Sequence, residues 1–426
     1  MVAAETELSA EEFVDRLLTK EAEEQPSDNV KPDELVMELP EWFDEKRFNR
    51  GRSVYNSFCF AYTTSMLAGL VAVFAVSSIL RVLVGSRRSS STYTAYKRYL
   101  STLLHTVSWF EHELKPGSVS WRSLYTVRSR HLRAGLASKM KGGGTVSQRD
   151  IALTLYGFIG FSTLKPDYFG IRQMNEGDWD AYNYVWRVIG HMIGLDEKYN
   201  ICRKTYRETA EVCQEIQDRV FTPCLENVPE FFEHMSRVML DGMWSTNPTL
   251  DTDSFLYFVR HLADVPGYIY TEQDRMNLQK RLIKQLKGKS LDTGVDPKTL
   301  MRKPGVDGLP ETKPRLLYYK DFETIDTAPA YKSLSLKSKY KLFMAKLYMT
   351  LYSSYLGRLY FNLNFKFSLF LMRYFPYLAF IRFGIKASIV NIFEEDPTDD
   401  SKPKPNSEYY KKRKTAWYKE LLNFFW

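Results

Sequence analysis

No aspartate or glutamate occurs between Ser53 and Phe110, and none again between Tyr331 and Phe393. The first gap leaves that stretch without a carboxylate base; the next acid is Glu111. The second leaves ten Lys/Arg uncompensated, more than the whole chain's formal net charge of +8. Cysteine is scarce too. Cys59, Cys202, Cys213 and Cys224 form neither a CxxC pair nor zinc-like spacing, which excludes a disulfide framework and predicts free thiols facing a reducing, intracellular compartment. The opening MVAAETELSAEEFVDRLL is acidic, with no basic region followed by an apolar run, so no secretory leader is expected. Alternating runs typical of strands are absent, and no repeat is visible.

What is present is helical. The 426 residues are 44% hydrophobic and 15% aromatic, the aromatics crowding the C-terminal third. Residues 1–38 are rich in Glu, Asp, Lys and Pro and read as a mostly disordered acidic arm with one amphipathic helix near Glu11–Leu18. A helical catalytic domain over 39–288 is expected to begin at LPEWFDEKRF, anchored by Trp42, Phe43 and Phe48. Within it, Ser53–Leu80 carries no charge and is flanked by arginines. It suits a transmembrane helix by length, but the polar load of Tyr55, Asn56, Tyr62, Thr63 and Thr64 favours a buried core helix. Helical patterns follow at Ser90–Phe110, Trp121–Met140, Ser147–Leu164, Asp178–Leu195, Tyr199–Phe221, Pro229–Met243 and Thr271–Lys287, several opening on Ser or Asp caps. Residues 289–330, full of Gly, Pro and charge, predict a linker. Residues 397–426 read as a charged tail with a short terminal helix.

Between the linker and that tail lies 331–396, where Lys and Arg alternate with Phe, Tyr, Leu and Met. Bulky apolar residues with long cations between them describe helices in a membrane interface. A basic helical layer covering a core is the ordinary alternative. Nucleic acid is disfavoured, because LFMAKLYMTLYSSYL is unsuited to a phosphate-facing groove. The expected partner is a membrane surface met through 331–393.

Two constellations carry chemistry. On a helix over Trp121–Met140, Leu124, Val127, Arg128, His131 and Gly135 share a face. The His131 imidazole there is either a packed core histidine or a ligand for haem iron. In the second case Arg128 suits a propionate, and Gly135 frees room for a flat macrocycle. On the preceding helix Arg98 and Thr102 are spaced i, i+4. They form either a helix-start cluster or a pair of donors over an iron-bound oxygen.

Four stretches in order, KRYLSTL, SLYTVRSRHLRAGL, VSQRDIALTLYGF and YNYVWRVIGHMIGLDEKY, resemble the catalytic domain of bacterial rubber oxygenases (latex clearing proteins). They also resemble the fungal oxygenase of mycophenolic acid biosynthesis, bound to the endoplasmic reticulum. The likeness spans about Arg81–Tyr199, more loosely to residue 285. It implies an all-α multi-helix bundle enclosing a haem-b pocket. The implied chemistry is cleavage or oxygenation of a double bond in an isoprenoid or other apolar lipid, with dioxygen as co-substrate. Position by position, His131 matches the proximal iron ligand, Arg128 the arginine before it, and Arg98 and Thr102 the distal pair; His191 matches a position without assigned chemistry. The chain departs from the pattern at Ser101, where some relatives have a distal lysine, and at Gly135, where many have arginine. It also lacks the glutamate base on the helix before Arg98. The same resemblance favours an intracellular, membrane-associated location at the endoplasmic reticulum. A haem-binding sensor or carrier, or a helical membrane protein that has lost its cofactor, are the alternative expectations.

Overall fold

A computed structural model describes residues 8–265, 268 and 329–410. The helix expected at Thr271–Lys287, nearly all of the 289–330 linker and residues 411–426 lie outside those described. Among the described residues there is no strand, only one isolated bridge between Pro26 and Ser147. The all-α expectation holds.

The chain order is α1 (Ala10–Leu17), α2 (Lys20–Glu24), α3 (Glu45–Ser57), α4 (Cys59–Val73), α5 (Ser77–Gly85), α6 (Thr92–Glu111), α7 (Val119–Met140), α8 (Gln148–Leu164) and α9 (Glu176–Met192). Then come α10 (Tyr206–Ile216), a π-helical turn at Gln217–Phe221, α11 (Thr222–Glu226), α12 (Phe232–Met243) and α13 (Thr252–Leu262). After the undescribed stretch follow α14 (Pro329–Lys332), α15 (Leu336–Tyr352), α16 (Tyr355–Tyr374), α17 (Tyr377–Phe383) and α18 (Ile385–Ser388). The starts are set by side-chain caps: Ser91 on α6, Ser118 on α7, Ser147 on α8 and Asn175 on α9 each accept a bond from a free first-turn amide.

The charge-free segment is not one helix. It continues α3, breaks at Phe58 and turns by 89° into α4. No single helix among the described residues is long and apolar enough to cross a membrane; the bent α3–α4 pair meets the length and composition alone. Much of α4 is buried, including Ala61, Tyr62, Ser65 and Ala68 through Val73 except Leu70. Its Gly69 lies so near Gly157 of α8 that a Cβ there would stand 1.8 Å from the Gly157 carbonyl oxygen. This close helix crossing needs a residue without a side chain.

Three expectations change. From residue 8 the acidic arm is docked, not disordered: Phe13, Val14 and Leu17 of α1 are buried in the main core, and Arg219 reaches Asp15 at 2.8 Å. The amphipathic helix expected in the arm is α1, and its three-residue apolar face is sufficient to anchor the arm. α13 had no counterpart in the sequence reading, and Leu256, Val259 and Leu262 join the core through it. Finally, 331–396 is not a separate appendage. Tyr352 is fully buried in the main core, while Leu369, Met372 and Ala379 close a second cluster with Tyr96, Leu100, Leu104 and Val107 of α6.

The hinge between α3 and α4 is held from α16. Asn362 donates to the Ser57 carbonyl (2.8 Å), and its Oδ1 accepts from the Phe60 amide (3.2 Å) and the Tyr352 hydroxyl (3.0 Å). After α18 the chain runs back as a strap across α5, α6 and α7. Tyr96 donates to the Ser388 carbonyl (2.7 Å), Lys97 to that of Ile389 (2.5 Å), and Thr94 to Asp399 (2.9 Å). All four cysteines are free and buried, as expected.

Candidate functional site

The packing of α6 on α7, beneath the strap, brings the predicted pair of constellations together. Arg98, Ser101, Thr102 and His105 stand at i, i+3, i+4 and i+7 on α6, on one face. His131 comes from the middle of α7. Its Nδ1 is sealed from solvent and has no hydrogen-bond partner. Burial, then the positive charges of Arg98 and Arg130, lower its pKa to about 4. The imidazole is therefore neutral at pH 7 and keeps a nitrogen that nothing in the protein uses. Buried polar atoms are usually paired; His131 Nδ1 is one of several among the described residues that are not, and it is the one that faces the Arg98 helix. The Ser101 hydroxyl is a second such atom.

His105 makes the contrast. It is buried, and its pKa falls to about 3 from burial first and Arg130 next. Yet both ring nitrogens are engaged: Nδ1 with the Ser123 hydroxyl (2.7 Å), Nε2 with Arg130 (3.3 Å). Arginine only donates, so Nε2 accepts and the proton sits on Nδ1, donating to Ser123. Ser123 Oγ also accepts from Trp109 Nε1 at 2.8 Å. His105 is thus a satisfied core histidine that fixes Arg130 beside the site. Sequence reasoning missed it, although its spacing from Arg98 was visible.

Arg98 donates to Ser86 Oγ at 2.9 Å, at the end of α5. The Thr102 hydroxyl donates to the Arg98 carbonyl at 3.0 Å. Arg130 reaches over to the strap, donating to the carbonyls of Ile392 (3.1 Å) and Glu394. Arg133 meets Glu395 at 3.1 Å, and Phe393 lies edge-on to His105.

The structure does not bring Arg128 and Gly135 to this point. Arg128 is taken by Asp28 of the docked arm, with Nε 3.0 Å from Oδ2 and the carboxylate buried. Arg128 and His131 lie on neighbouring turns of one face, but the ion pair with Asp28 commits the guanidinium to the arm. Gly135 faces Thr145 and Val146, where a Cβ would stand 3.1 Å from the Val146 amide nitrogen; its missing side chain serves helix–loop contact. His191 packs against Trp42, ring centroids 6.2 Å apart. Glu111, the first acid after the charge-free stretch, is held by Arg373 of α16 at 2.6 Å.

Among the described residues no three His, Cys, Asp or Glu side chains gather as a metal cluster. The site offers one neutral imidazole, a fixed guanidinium and two hydroxyls. That set suits a metal that brings most of its ligands with it.

Comparison with known proteins agrees with the family likeness. The chain is 26% identical over 223 residues to the rubber oxygenase of Streptomyces sp. (strain K30). That match covers 49% of this chain and spans about half, 51%, of the relative's length. A solved structure titled latex clearing protein LCP in the closed state aligns over 65% of this chain and 78% of that one, with 18% identity and a TM-score of 0.41. No family model matches. The chain is similar to rubber oxygenases; neither relative bears on the fungal enzyme.

Proposed function

We propose that this protein is a haem-b-dependent oxygenase acting on a carbon–carbon double bond of an isoprenoid or another apolar lipid. The observation that carries this reading is the sealed, unpartnered nitrogen of His131. A lone imidazole holds iron only when other ligands arrive with the metal, and a porphyrin supplies four. The similarity to a rubber oxygenase supports the same reaction class. When bound, the haem supplies the iron at which dioxygen is activated.

The chain's own residues have separate tasks. His131, neutral at pH 7, needs no deprotonation before it ligates. Arg98, fixed by Ser86, presents a permanent positive charge that favours negative charge developing on a nearby oxygen. The Thr102 hydroxyl is a second donor on the same turn. Arg128 and Gly135 are left out of this set, since Asp28 and the Thr145–Val146 segment already occupy them.

The test is the absorption spectrum of protein purified with haem supplied. Wild type shows a Soret band that His131→Ala shifts or abolishes. Identical spectra would remove His131 as the ligand, and absence of any band would favour a chain that has lost its cofactor. Ferrous protein incubated with farnesyl or geranylgeranyl compounds yields aldehyde or ketone products under this proposal. A second reading, a haem-binding sensor or carrier, rests on the missing base: Glu111 is engaged by Arg373, and no other acid lies between Ser53 and Phe110. Haem binding without products across those substrates selects it. An intracellular, membrane-associated placement at the endoplasmic reticulum accompanies the first reading, and an apolar, membrane-partitioned substrate fits it.

A further inference from the structure

The large apolar side chains exposed on this protein are concentrated in one region. Of 25 that are exposed among the described residues, 19 lie between Leu336 and Phe393. On α16 they form a single stripe. Leu356, Leu359, Leu363, Phe367, Phe370 and Tyr374 recur at i, i+3, i+7, i+11, i+14 and i+18, each between 48% and 75% exposed. The opposite face carries buried Asn362, Leu369 and Met372, which hold the helix to the body. An ordinary surface helix turns its polar side outward. α16 is apolar outward as well as inward, and contiguous exposed apolar surface of this kind marks an interaction site.

Charge decides the partner. The same region carries Lys337, Lys339, Lys341, Lys346, Lys366 and Lys386 with no acid from Tyr331 to Phe393. The acids that follow are drawn onto the body: Glu395 by Arg88 and Arg133, Asp400 by Arg87. A symmetric contact between two copies would set this basic surface against itself. A phosphate groove does not accept a row of Leu and Phe. An anionic bilayer accepts both, the cations among the headgroups and the apolar stripe at the acyl boundary.

We propose that the outward face of α15, α16 and α17 docks the protein on an anionic lipid bilayer, with α16 lying along the surface for about 30 Å. This inference stands apart from the haem reading. It rests on exposure and charge alone.

The test is flotation of the full-length protein with vesicles of phosphatidylcholine, with and without phosphatidylserine. The protein floats with the anionic vesicles, and raising the salt releases part of it. The triple variant Leu359→Glu/Leu363→Glu/Phe367→Glu stays in the soluble fraction, with melting temperature and circular dichroism unchanged because these side chains face outward. Lys346→Gln and Lys366→Gln each lower partition by about fivefold. Wild type failing to float with either vesicle overturns the proposal, as does a triple variant that floats equally well. A wild-type dimer in light scattering that the triple variant converts to monomer overturns it too, and identifies the face as a contact between copies.

Discussion

His105 and His131 are both neutral in the folded protein, one because its two nitrogens are spoken for, the other because burial and two arginines forbid a charge. Each has a folded pKa below the ordinary histidine value, so below about pH 6.5 the unfolded chain takes up protons that the folded one refuses. The stabilising contribution is complete above that pH and drains away as pH falls toward about 4 for His131 and about 3 for His105. At one pH unit below the unfolded value each histidine costs roughly 1 kcal/mol. The urea midpoint of the haem-free protein should therefore drop between pH 7.5 and 5.5, and His131→Gln should recover roughly 1 kcal/mol of that loss. An unchanged pH dependence in that variant would contradict the neutral imidazole. Ser123→Ala is expected to cost about 2 to 3 kcal/mol, because it strands the Trp109 and His105 donors in the core. Spacing in the sequence put Arg98 with Thr102, and Arg128 with His131, on shared helix faces, and the family resemblance singled them out. Neither was enough to foresee that Arg128 is claimed by Asp28, because that partner lies 100 residues earlier in an arm whose composition suggested disorder.

At the scale of elements, helix starts were legible at some local caps, as at Ser91 and Ser147, though not at Asp251, which caps the unforeseen α13. The break at Phe58 was not legible either. No Pro or Gly marks it, and the groups it frees are satisfied by Asn362, some 300 residues away. Asn362→Ala leaves the Phe60 amide, the Ser57 carbonyl and the Tyr352 hydroxyl without this partner, for an expected loss of about 2 kcal/mol or more in chemical denaturation. Gly69→Ala should be harsher. The added methyl meets the Gly157 backbone, which has no flexible side chain to move aside, so α4 and α8 must part at a cost of about 3 kcal/mol or more. A melting temperature equal to wild type would mean the two helices cross less tightly than described.

Taken whole, the molecule joins what the sequence divides. Composition separates a catalytic body from a basic, aromatic tail region, yet Leu369 and Met372 share a core with α6, and Tyr352 is buried among residues of the body. Periodicity shows that a helix has an apolar stripe; it does not tell which of two apolar stripes faces inward, and α16 has both. Deleting everything after Ala330 should consequently yield an insoluble protein, since it uncovers Tyr96, Leu100 and Leu104. A soluble, cooperatively folding truncation would restore the two-part view.

The strap from Ser388 to Asp400 supplies the last partners of Tyr96, Lys97 and Arg130. While the chain is still being synthesised, α6 and α7 emerge from the ribosome long before those partners exist. The α6–α7 pair therefore lacks these partners through most of translation and gains them only after residue 400 is free. That order leaves the α6–α7 face without its final cover longest in the growing chain.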